Sequence, residues 1–299
     1  MSTVFLVNPA SANGSTGRKW PVLARRAAEL GLRGDALISE RAGQLTELAA
    51  EAVHAGATRL VVVGGDGTVH EVVNGLLGAA GDAEIALLSR GTGTDFARSL
   101  GLPLKFDEAV RVALDGHVRT VDAGRATFHR GEAWFANFAG AGISGAIARD
   151  ANSSSKALGG KLSFMVSTVK VFARWKSAGV EAAVGGETRR GQMFEIVAMN
   201  GPYAAGGMKI APEALMDDGL LDTVLFGDVT KLDFVTTFPK IYGGRHLGHP
   251  KIELVRGASV TIESDPPLPV VLDGEQPGTT PARFEIVPGA LRVRVPSSA

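Results

Sequence analysis

Cysteine, long apolar runs and an excess of charge of one sign are all missing from this chain of 299 residues. Without cysteine, disulfides, thiolate metal sites and a cysteine nucleophile are excluded. No run approaches the ~18 consecutive apolar residues that a membrane-spanning helix requires. Basic and acidic residues number 31 each, so no global field attracts nucleic acid or an anionic membrane. We therefore expect a cytoplasmic protein that binds no nucleic acid and touches a membrane only from its surface.

The stretch from Leu60 to Leu77 is the most informative part of the sequence. Residues 60–63 are four consecutive apolar residues, three of them β-branched, which is typical of a strand buried on both faces. Three glycines around Asp66 permit a sharp turn, and a helical apolar pattern resumes at Thr68. A strand, a glycine-rich turn and a helix N-terminus favour anion binding, because backbone N–H groups point at the ligand. The carboxylate suits a metal-bridged phosphate; a tight turn without a ligand is the alternative.

Strands alternate with helices through the first part of the chain. This alternation predicts a doubly wound parallel sheet, in which ligand loops lie at the carboxyl ends of the strands. The predicted strands are 4–7, 36–38, 60–63 and 84–88, and the predicted helices are 20–30, 42–55, 68–77, 96–100 and 107–114. Three loops rich in small and polar residues, 8–14, 64–68 and 91–95, are the expected walls of one site.

Composition changes after residue 123. Short strand-like runs follow, separated by turns rich in Gly, Pro and Asp, which is typical of an antiparallel sandwich or barrel. These runs are 133–138, 180–184, 193–199, 220–226, 252–255, 258–263, 268–272 and 283–287. We predict a doubly wound, three-layer α/β nucleotide domain over 1–123 and a second, β-rich antiparallel sandwich domain over 124–288. The C-terminal strand, within 289–299, is expected to return to the first domain.

Residues 140–145 match the dinucleotide fingerprint G-x-G-x-x-G and follow a strand-like run. The fingerprint needs an acidic residue about 20 positions later to hold the ribose. No acidic residue occurs between Ala151 and Val180. We therefore interpret these glycines as permitting close packing. His246 and His249 have a spacing that suits a shared metal, but without a third ligand nearby they are expected to be surface histidines.

The predicted helix 161–176 has an apolar face that includes Leu162, Met165, Val166, Val169 and Phe172, widened by Phe164, Val171 and Trp175. Several basic residues accompany this face, with one more just upstream: Lys156, Lys161, Lys170, Arg174 and Lys176. A basic amphipathic helix with Trp and Phe can lie at an anionic bilayer surface. A core helix with a solvated basic edge is the other interpretation.

Two acidic turns are candidates for chemistry. Asp217-Asp218-Gly219 could cap backbone amides or bind a hard cation through carboxylate and carbonyl oxygens. Asp273-Gly274-Glu275 follows a predicted strand. Glu275 is either an ordinary acidic turn residue or a general base that takes a proton from a substrate hydroxyl.

Residues 64–75 (GGDGTVHEVVNG) resemble the signature of the diacylglycerol kinase catalytic-domain superfamily, which includes bacterial soluble lipid kinases and sphingosine kinases. Asn8-Pro9 and segments 91–98, 217–222 and 273–275 appear in that family's order and spacing, so the resemblance covers essentially the whole chain. The core 64–68 alone is shared with NAD kinases. The family commonly has Asn where this chain has Thr94, and loop 8–14 is longer before its glycine than usual.

The resemblance implies roles for individual residues. Asp66 and Asp95 would organise Mg²⁺ under the phosphates, and Glu275 would accept the proton. A structural Mg²⁺ in the second domain would take the Asp218 carboxylate and the backbone carbonyls of Leu215 and Leu220. ATP would be contacted by Asn8, Pro9, Ala10, Ser11, Ala12, Ser39, Gly65, Asp66, Gly67, Thr68, Val69, His70, Glu71 and Thr92.

The residues and the resemblance together predict an ATP- and Mg²⁺-dependent lipid kinase, peripheral at the membrane. It would transfer the γ-phosphate to a hydroxyl of a diacylglycerol-like lipid with Glu275 as general base. An NAD kinase-like phosphotransferase acting on a soluble ribose hydroxyl and a non-catalytic nucleotide sensor are the alternatives. The sequence leaves open which lipid is the acceptor, which nucleotide is the donor and the oligomeric state, for which a homodimer is one arrangement considered.

Overall fold

The computed structural model describes residues 2–91, 93–129, 131–153 and 160–297, with backbone alone for 152–153 and 160–165. The chain divides into two compact units. The first contains Met1–Ala123 and Pro288–Ala299, and the second contains Gly124–Val287.

The first unit is an α/β unit with a parallel sheet. Its strands are β1 (Thr3–Val7), β2 (Asp35–Ile38), β3 (Arg59–Gly64) and β4 (Glu84–Ser89), and its helices are α1 (Ser15–Glu29), α2 (Gln44–His54), α3 (Asp66–Gly78), α4 (Asp95–Ser99) and α5 (Phe106–Asp115). The strand order is β2-β1-β3-β4 with every pair parallel, which confirms the doubly wound prediction. The last strand of the chain, β15 (Ala282–Val295), ends beside β4, with Val293 opposite Ile85.

Both faces of this sheet are covered, as its sequence requires. All six residues of β3 are buried. Val61 and Val63 cluster with Trp20 of α1 and Val110 of α5 on one face. Because successive side chains of a strand point to opposite faces, Leu60 and Val62, which are also fully buried, face the other side. In a sheet of this kind, ligands bind at the loops that follow the carboxyl ends of the strands.

The second unit is mainly antiparallel. β5 (His117–Phe128) leads into it and is followed by β6 (Gly131–Phe135), β7 (Phe138–Gly142), α6 (Ile143–Ser153), α7 (Gly160–Arg174), β8 (Ala178–Val184), β9 (Glu187–Met199), β10 (Leu221–Gly227), α8 (Lys231–Ile241), a 3₁₀ turn (Arg245–Gly248), β11 (Ile252–Gly257), β12 (Ser259–Asp265), β13 (Pro269–Leu272), β14 (Glu275–Thr279) and β15. The sheet order is β14-β13-β7-β9-β8-β12-β15, and β10 pairs with β9 and β11. The core includes the edge-to-face pair Phe135–Phe284, whose ring centroids lie 6.1 Å apart.

Some elements differ from the sequence predictions. α1 begins at Ser15 rather than at residue 20, directly after Gly14, which takes a left-handed conformation. Helix α8 lies outside the predicted elements and contains Pro239; it begins with a capping box between Thr230 and Asp233. The surface prediction for His246 is wrong. This side chain is fully buried and stacks on Phe226, and burial lowers the pKa of its imidazole.

Helix α7 combines features of both interpretations of its apolar face. Its C-terminal half packs inward, with the Phe172 ring 4.4 Å from that of Phe234 on α8. Val166 and Val169 are 51% and 64% exposed, while Lys170 pairs with Asp150 over 2.5 Å. Lys156 and the side chains of Lys161, Leu162, Phe164 and Met165 lie outside the described residues. Within the described part of the chain, no helix is both long and apolar enough to span a membrane.

Candidate functional site

The loops that follow β1, β3 and β4 are joined to one another by hydrogen bonds. The backbone N–H of Asn8 donates to the carbonyl of Val63 over 3.1 Å, and its side-chain amide donates to Thr68 Oγ1 over 3.1 Å. The N–H of Arg90 donates to the carbonyl of Gly64 over 2.6 Å. The three loops expected to form one site therefore lie together, at the carboxyl ends of adjacent strands.

Two glycines allow the second and third loops to touch. A Cβ atom on Gly91 would lie 2.8 Å from the Cα atom of Gly65, closer than real contacts permit. Gly65 precedes α3 in an extended conformation, and the N–H groups of Thr68 and Val69 bond to its carbonyl. The N–H groups at the very start of a helix have no partner within it, and they carry the positive end of the helix dipole. A helix N-terminus at such a turn is an arrangement that favours anion binding in proteins.

Two carboxylates converge beside that corner. Asp66 begins α3, and its Oδ1 accepts a hydrogen bond from the N–H of Phe96 over 3.1 Å. A Cβ atom on Gly93 would lie 2.6 Å from Oδ2 of Asp66 and 3.7 Å from Oδ2 of Asp95. Asp95 begins α4 and is 5% exposed. Carboxylate oxygens around a space kept open by glycine suit Mg²⁺, so the residues present fit the metal that the sequence implies.

Most of the remaining residues predicted to contact the nucleotide lie in the first loop or beside it. Within the first loop, Asn8 Oδ1 accepts from the N–H of Ala10, and Ser11 Oγ donates to Thr16 Oγ1 over 2.6 Å. Ser39 follows β2, and its N–H donates to the carbonyl of Val7, so it lies beside the same loop. Ala12 has a positive φ of 50°. Thr92 lies outside the described residues.

The residues at the start of α3 that were predicted to contact the nucleotide mostly make contacts within the protein. Val69 is buried and has only backbone to offer a ligand. The Glu71 carboxylate accepts from the N–H of Leu45 over 3.0 Å and so caps α2. His70 is partly buried, and its carbonyl accepts from the side-chain amide of Asn74.

A cationic pocket in the first unit was missed by the sequence reasoning. It has a volume of about 380 Å³ and is lined by Ala12, Ser89, Arg90, Gly91, Thr94, Arg98 and Leu104. Arg90 and Arg98 bring two guanidinium groups to the loops that hold the carboxylates. In the sequence, these two arginines lie on either side of 91–95, the third glycine-containing loop, and this position could have indicated the pocket.

Glu275 lies on a tight hairpin of the second unit. Leu272 of β13 pairs with Glu275 of β14, and only Asp273 and Gly274 connect the two strands. Both connecting residues have positive φ, 48° and 100°. This is the geometry of a type I′ turn, for which Asp-Gly is a favoured pair. The Glu275 side chain is exposed.

Asp218 caps a backbone amide, the first of the two roles considered for its turn. Its Oδ1 accepts from the N–H of Leu220 over 3.1 Å, and its Oδ2 pairs with the Arg256 guanidinium. Arg256 also contacts Asp222 over 3.2 Å. Metal binding by Asp218 with the carbonyls of Leu215 and Leu220 stays a prediction. A cation there would compete with Arg256 for one oxygen.

The fingerprint-like glycines surround a carboxylate of the protein itself. The motif spans the end of β7 and the start of α6, and Glu195 accepts from the N–H of Ser144 over 2.8 Å and from its hydroxyl over 2.5 Å. Cβ atoms on Gly140 and Gly142 would lie 2.9 and 2.6 Å from the Glu195 carboxylate oxygens. Burial raises the pKa of Glu195 to about 7. The hydrogen-bond acceptor at this helix N-terminus is therefore a carboxyl group of the protein itself, and β7 is antiparallel to both its neighbours, unlike a Rossmann strand.

A second, larger cavity lies elsewhere, entirely within the second unit. Its volume is about 860 Å³, and α6, the end of α7 and residues 266–269 line it. Its apolar lining includes Val171, Trp175 and Leu268, and basic side chains from Arg149, Lys170, Arg174 and Lys176 surround it. None of the predicted catalytic, nucleotide or metal residues contributes to this cavity.

The first unit is an α/β unit whose loops gather at the carboxyl ends of a parallel sheet. Residues 2–126 match the diacylglycerol kinase catalytic domain, and residues 137–295 match the YegS C-terminal NAD kinase beta sandwich-like domain. The chain therefore belongs to the bacterial diacylglycerol kinase and YegS-like lipid kinase family.

Individual relatives agree with this assignment. The chain is 30% identical to a probable lipid kinase YegS-like of Pseudomonas aeruginosa, over 99% of this chain and 95% of the relative. It is 27% identical to a diacylglycerol kinase of Staphylococcus carnosus, over 94% of this chain and 90% of the relative. A crystal structure of a putative diacylglycerol kinase from Bacillus anthracis superposes with a TM-score of 0.80 at 25% identity, covering 98% and 95% of the two chains.

Proposed function

We propose that the protein transfers the γ-phosphate of ATP to a hydroxyl group of a diacylglycerol-like lipid. The observation that carries the proposal is the convergence of Asp66 and Asp95 beside the N-terminus of α3. A helix N-terminus suits phosphate oxygens, and adjacent carboxylates suit the cation that accompanies them. Phosphoryl transfer depends mainly on positioning and on neutralising charge, and these residues supply the means for both.

The nucleotide is held in this proposal by backbone and side chains of the first unit. The N–H groups of residues 65–67 face the phosphates, and loop 8–12 with Ser39, 68–71 and Thr92 completes the contacts. Arg90 and Arg98 add charge from the neighbouring pocket. Arginine holds phosphate oxygens through paired N–H donors, which makes it well suited to this role.

Asp66 and Asp95 hold Mg²⁺ in the proposal. When bound, the ion neutralises charge that develops on the phosphate oxygens. Asp66 keeps its orientation through the Phe96 N–H, and Asp95 is fixed by its position at the start of α4. Gly93 keeps the space between the carboxylates open because any larger side chain would enter it.

Glu275 is the proposed general base. A lipid alcohol has a very high pKa, so its proton must leave as the new bond to phosphorus forms. A carboxylate that accepts this proton contributes typically about 10²–10⁴-fold to such a reaction. The exposure of Glu275 on its hairpin supports access to a substrate hydroxyl.

A lipid acceptor is supported by the family and by apolar surface in the second unit. The relatives are named as diacylglycerol kinases and lipid kinases. The cavity beside α7 has an apolar lining, and Val166 and Val169 of the same helix are exposed. Association with a membrane surface, where such a lipid resides, is part of the proposal.

Turnover assays with matched variants test the proposal. ATP consumption should depend on diacylglycerol in mixed micelles and should not increase with NAD. Glu275→Gln should lower kcat at least about 100-fold and leave the affinity for ATP nearly unchanged. Glu263→Gln, an exposed glutamate on β12, serves as the control. Wild-type turnover by Glu275→Gln would overturn the base assignment.

The same assay separates the two alternatives. Consumption of ATP with NAD, and not with lipid, would indicate an NAD kinase-like phosphotransferase. Binding of ATP without turnover on any acceptor would indicate a nucleotide sensor. A sensor has no need of a general base, so the presence of Glu275 together with Asp66 and Asp95 supports the kinase.

A further inference from the structure

We propose that Asp273 is a positioning residue that fixes the hairpin carrying Glu275, an inference that rests on the proposed function of Glu275. The Asp273 carboxylate accepts three hydrogen bonds from consecutive backbone N–H groups. Oδ2 accepts from Ala136 over 2.7 Å, and Oδ1 accepts from Asn137 over 3.0 Å and from Phe138 over 2.9 Å. The N–H of Asp273 returns a bond to the carbonyl of Phe138 over 3.0 Å.

Residues 136–138, which donate to Asp273, are held in place by further hydrogen bonds. This segment connects β6 and β7, and Asn137 and Asn200 within and beside it are 4% and 0% exposed. The Asn200 side chain donates to the carbonyl of Ala136 over 2.7 Å, and the Asn200 N–H donates to the carbonyl of Asn137 over 2.8 Å. The Asn137 side chain donates to the carbonyl of Tyr203 over 2.5 Å. Asp273 therefore anchors the hairpin to a buried segment that has its own network of hydrogen bonds.

Glu275 has reason to depend on this anchor. Its side chain is exposed and extends from the first residue of β14, directly after the turn that Asp273 begins. Its place is set by the backbone of a two-residue turn, and the first residue of that turn is Asp273. A displacement of about 1 Å of a reacting group can cost about 100-fold in rate. The Asp-Gly pair thus makes two contributions. Its backbone supplies the turn conformation, and the Asp273 carboxylate fixes where the hairpin lies.

Asp273→Asn separates these two contributions. Asn-Gly is at least as favourable as Asp-Gly in a type I′ turn, so the hairpin should still form. The amide has one acceptor oxygen and two N–H donors, and it cannot accept from three backbone N–H groups as a carboxylate does. Asp273→Gly also allows the turn and removes every side-chain contact. Both variants should fold with a hairpin that is less firmly placed.

Kinetics with ATP and diacylglycerol in mixed micelles test the inference, at a temperature well below the Tm measured for each variant. We expect Asp273→Asn and Asp273→Gly to lower kcat about 100-fold, with the KM for ATP nearly unchanged. Asp228→Asn, an exposed aspartate of the same unit, should match the wild type. Adding Asp273→Asn to Glu275→Gln should cause no further loss, because residues that act as one unit are not additive.

Each outcome decides the inference separately from the proposed function. If Glu275→Gln is inactive and Asp273→Asn turns over like the wild type, Asp273 does not position the base, while the kinase proposal stands. An additional loss of tenfold or more in the double variant, relative to Glu275→Gln, would show that Asp273 acts independently of Glu275 and would overturn the inference. If Glu275→Gln keeps wild-type turnover, the base assignment fails and the inference fails with it.

Discussion

The Oδ1 atom of Asp66 accepts a hydrogen bond from the backbone N–H of Phe96 over 3.1 Å. Asp66 begins the helix after β3, and Phe96 lies in the helix after β4, so one carboxylate fixes two loops of the site. Its other oxygen faces the space beside Gly93, where Asp95 also points an oxygen. The same side chain therefore holds the loops in place and supplies negative charge to the space between them.

Asp66→Asn should separate these two tasks. The amide oxygen can still accept from Phe96, so the Tm should change little, but the negative charge is lost. We expect kcat to fall roughly 10²–10³-fold, the range for removing one preorganised electrostatic group. Steady-state kinetics and thermal unfolding on the same preparation check this. Asp82→Asn, at an almost fully exposed position, is the control; unchanged turnover by Asp66→Asn would contradict the metal role.

Thr94→Asn should stabilise the protein. Thr94 precedes α4 with φ 54°, a left-handed conformation that disfavours β-branched residues and that Asn tolerates. We expect a gain of about 0.5–1 kcal/mol in the free energy of unfolding, measured by urea denaturation. Thr127→Asn, on strand β5, should have no effect or the opposite effect, because Asn is disfavoured in strands. Thr94 Oγ1 donates to the carbonyl of Gly93 over 2.7 Å, and a loss of stability in Thr94→Asn would show that this bond outweighs the relief of strain.

Stability should depend on pH through Glu195. Burial raises the pKa of its carboxyl from 4.5 to about 7. Between these values the folded state holds a proton that the unfolded state has released, so its contribution to stability is present at low pH and is lost as pH rises through about 7. Relative to Glu195→Gln, which cannot titrate, the wild type should lose roughly 3 kcal/mol between pH 4 and pH 8.

Urea denaturation of both proteins across that range measures the difference. Glu263→Gln, at an exposed position, should follow the wild type in parallel. A constant difference between wild type and Glu195→Gln would show that the Glu195 pKa is ordinary and that its hydrogen bonds from Ser144 outweigh its burial.

Glu84→Gln should strongly destabilise the first unit. Glu84 is 5% exposed and accepts from Arg294 Nε over 2.8 Å, with Arg59 and Arg292 each 3.4 Å away. Two of these arginines lie on the returning strand β15. Removing the charge leaves the largely buried guanidinium groups of Arg59 and Arg294 without this carboxylate, which costs about 3–5 kcal/mol. Glu108→Gln breaks an exposed pair with Lys105 and should cost less than about 1 kcal/mol; similar losses in both variants would contradict this account.

Local sequence features predicted the first unit well. The apolar, mostly β-branched run before Gly64 is typical of a doubly buried strand, and β3 is buried throughout. The glycines and carboxylates that follow it indicate a phosphate site, with a ligand-free turn as the alternative. Parallel topology then brought the loops after β1, β3 and β4 together. The strands and helices were predictable because their patterns lie within short stretches of sequence, while the phosphate site stays a prediction.

Features that depend on distant partners were not predictable in the same way. Helix α6 begins at residues whose N–H and hydroxyl groups bind Glu195, some 50 positions later in the chain. Burial of His246 depends on Phe226 and the fold around it. Asp273 was read only as part of an acidic turn, because its three donors lie more than 130 positions earlier. Sequence shows the chemistry of such residues but not their partners.

Transfer of a labelled phosphate to lipid tests the central claim most directly. The protein would be incubated with γ-labelled ATP, Mg²⁺ and a mixed lipid extract, and the lipids would be analysed by mass spectrometry with Glu275→Gln in parallel. The proposal predicts one lipid class that gains a single labelled phosphate with the wild type and not with the variant. Consumption of ATP with no labelled lipid, or equal labelling by both proteins, would contradict it.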